Sequence, residues 1–259
     1  LLHPKEDPTI TIPKDEPEQE TETEELPVLV IGSDNYEPYF YLDEDGAYAG
    51  IDVEMARAAC ERLGWTPDFR QIFWQEKDQL LADGEVDCLW GSFTMTGRED
   101  LYQWAGPYLY SRQVVAVRTD SGIQTLADLA GRRVAVQATG KPESIFLTSD
   151  APGIAQVEAV YSFSTMDEVY ACLRKGYADA IAGHENALGL FLASSPGSYR
   201  MLDETLDVSQ LGVAFQKDTH QELAQALTQT LAEMEADGTT RAILERYGLD
   251  ADRALGVTP

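Results

Sequence analysis

Gly84-Glu-Val-Asp87-Cys-Leu-Trp-Gly91-Ser92 and Gly176-Tyr-Ala-Asp179-Ala-Ile-Ala-Gly183-His184 repeat one pattern in two halves of the chain. Each reads as a glycine that stops a helix, a short apolar strand, and a second glycine followed by a polar side chain. Glycine closes helices because it enters the left-handed region at little cost, and internal repetition constrains architecture strongly. The pattern predicts two similar α/β lobes, each delivering a polar residue, Ser92 or His184, at the carboxyl end of a strand. Open α/β sheets bind ligands at such ends. Two such edges facing each other make a cleft, so the expectation is a two-lobed binder.

The flanking segments fit this scheme. Val28-Leu-Val-Ile31 is an apolar run short enough for a buried strand, and Asp43-Glu-Asp-Gly46 reads as a turn. A helix is expected from about residue 52 to 63, with Asp52 as its N-cap and Gly64 as its stop. Another, near 76–81, runs to Gly84 and feeds a strand at 86–90. Residues 109–117 form a long extended stretch suited to crossing between lobes. Beyond it come a short helix at 126–129 and a strand at 134–136. A helix opened by the capping box Thr165-Met-Asp-Glu168 then runs to Gly176 and a strand at 178–182. Residues 211–215 return the chain. Leu223, Leu227, Leu231 and Met234 repeat at helical spacing and read as core packing rather than a cofactor site. A break at Asp237-Gly238 precedes a final helix closing at Gly248. Two crossovers make a hinge, with lobe one expected at 27–113 plus 218–259 and lobe two at 114–217.

Composition narrows the function. The 259 residues carry 19 Lys+Arg against 45 Asp+Glu, a net charge of −26, which excludes a nucleic-acid binder because phosphate contacts need clustered cations. No apolar run approaches the ~20 residues of a membrane span. Cys60, Cys88 and Cys172 cannot all pair and show no metal-ligand spacing, so they are expected as buried thiols. Residues 1–26 alternate Pro4, Pro8, Pro13 and Pro17 with acidic and Thr residues, a composition expected to remain extended and disordered.

Ordered short motifs run through residues 27–250. They are Val30-Ile-Gly-Ser-Asp34 with Tyr36-Glu-Pro38-Tyr39, Gly46-Ala-Tyr-Ala-Gly50-Ile-Asp52-Val-Glu54, Thr94-Met-Thr96-Gly-Arg98-Glu99, and Trp104-Ala-Gly-Pro107-Tyr108. Leu126-Ala-Asp-Leu-Ala-Gly131, Val134-Ala-Val136-Gln137 and Asp237-Gly-Thr239 continue the series. Together with the two repeats, they resemble family 3 extracellular solute-binding proteins, the polar amino-acid receptors of ABC importers. The resemblance implies two Rossmann-like α/β lobes joined by two hinge strands, the periplasmic-binding-protein type II fold. It further implies a ligand enclosed between closing lobes, no chemistry, no cofactor or metal, a monomer, and docking on an ABC permease in the membrane. The acidic segment 1–26 is then expected to tether an extracytoplasmic lipoprotein.

By the same resemblance, Arg98 grips a ligand carboxylate through two guanidinium N–H groups, assisted by donors around Gly91, Ser92 and Thr94. Read alone, Arg98 would also suit a surface ion pair with Glu99 or Asp100. Tyr36 and Trp74 fall where the family places aromatic walls. Lobe two departs from the pattern. Thr139-Gly140-Lys141 stands where the family commonly has Gly-Ser/Thr-Thr, and Lys141 either meets a carboxylate or faces water. His184 stands where an Asp usually receives the ligand ammonium, and a neutral imidazole cannot replace that charge. Either Glu185 or Asp34 takes the ammonium, or the ligand is not an ordinary α-amino acid. Two other functions stay open: a ligand-sensing module of a membrane signalling protein, and a dehydratase or lytic enzyme using His184 and Glu185 as acid and base. The acidic tether, with the chain ending soon after its last helix, favours the receptor over the sensor.

Overall fold

The computed structural model describes residues 25–148, 153–154 and 156–257, so residues 1–24 of the expected tether lie outside the described residues. The two repeats fold alike. Gly84 and Gly176 both follow a helix end with left-handed backbones, φ 71° and 74°. Three residues on, the Asp87 carboxylate accepts the Val30 N–H at 2.7 Å and the Asp179 carboxylate accepts the Arg133 N–H at 2.8 Å. The backbone N–H of each aspartate returns the bond, Asp87 to Val30 O at 2.9 Å and Asp179 to Arg133 O at 2.8 Å. Each aspartate therefore fastens the incoming chain to a neighbouring strand before pairing begins.

The elements follow in order. Strand β1 (Val28–Ser33) leads through a small hairpin, β2 (Tyr41–Leu42) and β3 (Tyr48–Ala49), into helix α1 (Ile51–Leu63) and β4 (Thr66–Gln71). A 3-10 turn at Trp74–Glu76 opens α2 (Lys77–Ala82), then β5 (Cys88–Leu89) and the long β6 (Gln103–Arg118). A second 3-10 turn, Leu126–Leu129, precedes β7 (Arg133–Gln137), α3 (Lys141–Leu147), β8 (Ala159–Phe163) and α4 (Met166–Arg174). Next come β9 (Ala180–His184), α5 (Glu185–Ser194), β10 (Tyr199–Met201) and β11 (Asp207–Phe215). Helices α6 (Gln221–Ala236), α7 (Thr239–Arg246) and α8 (Ala251–Ala254) finish the described chain.

Among the described residues the strands form one nine-stranded sheet, ordered β4-β1-β5-β11-β6-β9-β7-β8 with β10 beside β6. Its two ends are parallel triplets, β4-β1-β5 and β8-β7-β9. The antiparallel pair β6 and β11 joins them. Two lobes thus share one pair of through-running strands, as the crossover reading expects. The pair shifts register between Leu211 and Val213, where a Cβ on Gly212 would sit 2.8 Å from the Trp104 ring.

Helix α4 opens with the expected capping box. The Glu168 carboxylate accepts the Thr165 N–H at 3.0 Å, and the Thr165 hydroxyl accepts the Glu168 N–H at 3.3 Å. Gly64 ends α1 in the left-handed region, and the stripe Leu227, Leu231 and Met234 is buried in the core. The three cysteines are free and buried, two on helices and one on a strand.

Several expectations change. Gly50, not Asp52, occupies the N-cap of α1. Asp52 lies within the first turn, two residues past the cap, and is buried, with its carboxylate accepting the Ser92 N–H and the Tyr108 hydroxyl, both at 2.6 Å. Strand β5 covers only two residues because the Val86 amide turns back to Leu80, Asp87 serves the tie to β1, and Gly91-Ser92 turns away, Ser92 with φ 45°. Strand β6 reaches beyond 109–117 in both directions, and β11 starts earlier than residue 211 because antiparallel pairing with β6 carries it. Helix α8 was not expected.

If the two aspartates hold the two triplets, Asp87→Ala and Asp179→Ala should each lower the free energy of unfolding in urea by about 1–3 kcal/mol, the cost of leaving a strand amide unsatisfied. An unchanged midpoint for both variants would show that strand pairing alone sets these edges.

Candidate ligand-binding cleft

The two repeats end at facing edges, and both final glycines are there for lack of room. A Cβ on Gly91 would lie 1.8 Å from the Ser33 hydroxyl, and one on Gly183 would lie 2.8 Å from Leu188 Cδ1 and 2.9 Å from the Tyr36 hydroxyl. Those close approaches let Tyr36 reach across, so that its hydroxyl accepts the His184 N–H at 3.1 Å. Ser92 is fixed from the other side by the buried Asp52. Burial pushes the Asp52 carboxyl up to about 6, against hydrogen bonds from Tyr108 and Ser92 that favour its charge.

Between the edges lies a small, partly open cavity of about 30 Å³. Asp34, Tyr36, Trp74, Gly91, Ser92, Phe93, Thr94 and Arg98 line one side, and Gln137, Lys141, Met166 and His184 line the other. Polar contacts draw the walls together. Gln137 donates its amide to Asp34 at 2.5 Å, Lys77 donates to the Thr139 hydroxyl at 3.1 Å, and Lys141 donates to the Thr96 carbonyl at 3.3 Å. Asn186 donates to the Tyr39 hydroxyl at 2.9 Å.

Arg98 makes no ion pair with Glu99 or Asp100. Its guanidinium donates to the Thr94 carbonyl at 3.0 Å and the Thr139 carbonyl at 3.5 Å, and lies over the Phe93 ring at 5.5 Å. Two of five N–H groups are thus engaged, which leaves donors for a carboxylate. Burial is the main influence lowering the Arg98 pKa from its ordinary value. Asp34 is the one carboxylate on the cavity wall. Burial raises it to about 6, opposed by the amide of Gln137 and, less strongly, by the charge of Lys77. His184 is buried and held down to about 4 by desolvation, with the charge of Arg98 acting in the same direction and a backbone contact with Ser92 opposing it. Its Nδ1 lies 2.7 Å from the Ser111 hydroxyl, and Tyr36 meets the ring edge-on at 5.3 Å. At neutral pH the second repeat therefore presents an uncharged imidazole.

Most expected residues converge here. Thr139 stands at the rim, exposed and with φ 60°, contributing its carbonyl and hydroxyl. Glu185 does not belong to the site. It begins α5 just after His184, lines a separate pocket and pairs with Arg253 at 2.7 Å. Gln113, Gln137, Lys77, Phe93 and Met166 were missed. Gln113 had a signal, since it is the polar residue that directly precedes the apolar run Val114–Val117. Lys77 had none, because a lysine opening a helix reads as a solvated charge. Among the described residues, no group of three or more His, Cys, Asp or Glu is placed to hold a metal ion.

The family model for bacterial extracellular solute-binding proteins, family 3, matches residues 28–250. The glutamate-binding protein GluB of Corynebacterium efficiens is 26% identical over 83% of this chain and 76% of its own length. The L-cystine-binding protein TcyA of Bacillus subtilis is 27% identical over 85% of this chain and 81% of its own. A crystal structure of Tv2483 bound to L-arginine superposes with a TM-score of 0.80 at 27% identity, covering 90% of this chain and 94% of that one. The relatives are binding proteins by name, and the two-lobed fold with two through-running strands is the periplasmic-binding-protein type II fold.

An acid that titrates higher in the folded than in the unfolded chain costs stability. That cost sets in as pH rises from ~4 through the folded value of about 6. Asp34→Asn should therefore stabilise the ligand-free protein at pH 7.5 by on the order of 2 kcal/mol, with a clearly smaller gain at pH 4.5. Urea unfolding at the two pH values measures this, and an equal or absent gain would show that Asp34 carries no buried-charge cost.

Proposed function

The chain belongs to the bacterial extracellular solute-binding proteins of family 3, and we propose that it is the receptor of an ABC importer, taking an amino acid or close derivative into the cleft. The observation that carries this reading is the cavity at the two repeated strand ends, where Arg98 faces inward without a carboxylate partner and Asp34 is buried opposite. A zwitterion loses water at both ends on enclosure, so each end needs a partner. Free N–H groups of Arg98, with the Ser92 and Thr94 hydroxyls on the same wall, receive the carboxylate. Asp34 accepts the ammonium, with Tyr36 and Trp74 flanking the aliphatic part.

Lobe one comprises 27–113 plus 218–259 and lobe two 114–217, turning on β6 and β11. Ligand contacts from both lobes bias the open–closed equilibrium toward closed. The closed form is the one a permease reads, and residues 1–26 tether a monomer at the outer face of the membrane. The protein transports rather than transforms. The acid–base pair that a dehydratase or lytic enzyme would draw from His184 and Glu185 is not assembled, because Glu185 pairs with Arg253 away from the cavity.

A thermal-shift screen over the common amino acids tests this, with mass spectrometry of ligand released from denatured protein. A ligand at 100-fold its Kd should add about 2.7 kcal/mol of stability and be recovered unchanged. Arg98→Ala should weaken its binding by about 100-fold or more, since truncating one partner of a buried charge pair costs roughly 2–5 kcal/mol. A chemically altered ligand, or normal binding by Arg98→Ala, would overturn the reading.

A further inference from the structure

The walls of the cleft reverse the charge of the molecule. The chain as a whole carries 45 acidic against 19 basic residues. At the seam between the lobes, however, three cations, Lys77, Arg98 and Lys141, face a single carboxylate, Asp34. Composition does not explain this, because the surplus of acids elsewhere runs the other way.

None of the three cations has a carboxylate partner at contact distance. Among the described residues, none of the ion pairs includes them. Their hydrogen-bond partners are the Thr139 hydroxyl and the carbonyls of Thr94, Thr96 and Thr139, all uncharged. Lys77 is only 5% exposed, and its ammonium sits over the Trp74 ring at 5.2 Å. An aromatic face offsets part of a cation's desolvation but leaves the charge in place. Asp78 and Glu143 act on Lys77, and Asp78 and Asp207 on Arg98, from outside the cavity without forming an ion pair, and desolvation outweighs them in both cations. Desolvation lowers the pKa of both Lys77 and Arg98, the mark of buried positive charge lacking full compensation. The opposite strand end adds no acid, since His184 is buried and uncharged and Glu185 points away.

We propose that the cleft selects an α-amino dicarboxylic acid, whose one ammonium meets Asp34 and whose two carboxylates meet the Arg98 and Lys141–Lys77 ends of the seam. This rests on the receptor reading above and narrows its ligand class. Lys77 and Arg98 belong to one lobe and Lys141 to the other, so an anion placed between them is attracted by both walls. A cationic amino acid would instead bring a second positive charge among three unpaired ones, with Asp34 alone to receive it.

Calorimetric titration of the purified protein at pH 7.5 with L-glutamate, L-aspartate, L-glutamine, L-arginine and succinate tests the assignment. Glutamate or aspartate should bind at least ~100-fold more tightly than glutamine, because an amide cannot pair with the charge the site leaves open. Lys141→Gln, at a half-buried position where folding is safe, should reduce the glutamate-to-glutamine preference tenfold or more. Glutamine or arginine binding as tightly as glutamate would overturn the charge assignment while leaving the receptor reading intact. Succinate binding more tightly than glutamate would overturn the pairing of an ammonium with Asp34. Binding of none of these ligands, together with no hit in the wider amino-acid screen, would remove the receptor reading as well.

Discussion

The carboxylate of one aspartate per lobe, accepting a backbone N–H from the next strand, is the contact on which the site depends. Asp87 does this for β1 and Asp179 for β7, each three residues after a left-handed glycine that has ended a helix. Because the tie comes before the strand, it sets where the strand starts. A strand of fixed start and short length then ends where the neighbouring lobe faces it. Gly91-Ser92 and Gly183-His184 meet across the cavity for this reason. Their glycines admit the Ser33 and Tyr36 hydroxyls to positions that a Cβ would fill.

The cleft that results is a set of charges held against the preference of the fold. Asp34 and Asp52 are both buried and both titrate near 6, while Lys77 is buried and Arg98 half-buried, neither with a carboxylate in contact. Their neutral partners satisfy hydrogen bonds without cancelling charge. Such an arrangement is tolerated in a chain that gains stability elsewhere. The two acids differ in use. Asp52 is committed within one lobe, to the Ser92 amide and Tyr108, and so orients the first strand end. Asp34 spans the seam to Gln137, so its environment changes whenever the lobes separate.

Local signals made much of the fold legible. Helix stops at Gly64, Gly84 and Gly176, the capping box at Thr165, the short apolar strands and the helical stripe after residue 220 each follow from backbone or packing rules that operate within a few residues. The same reasoning misplaced Asp52, since an aspartate near a helix start reads as a cap when only neighbours are considered. It also placed Glu185 beside His184. The chain turns from strand to helix between the two, and an ion pair with Arg253, 68 positions away, holds Glu185 off the cavity wall. Lys77 was invisible for the complementary reason: only the approach of Thr139, from the other lobe, turns an ordinary helix-opening lysine into a buried cation.

Periodicity, glycine conformation and caps are short-range properties of the chain, and they were enough for the twofold α/β plan, the two crossing strands and the chemical types waiting at the strand ends. Tertiary structure alone decided which charges share the cavity and which are spent elsewhere. Burial and pairing depend on residues tens to more than a hundred positions apart, as with Gln137 on Asp34 and Tyr36 on His184, and a pattern of residue types carries no record of those distances.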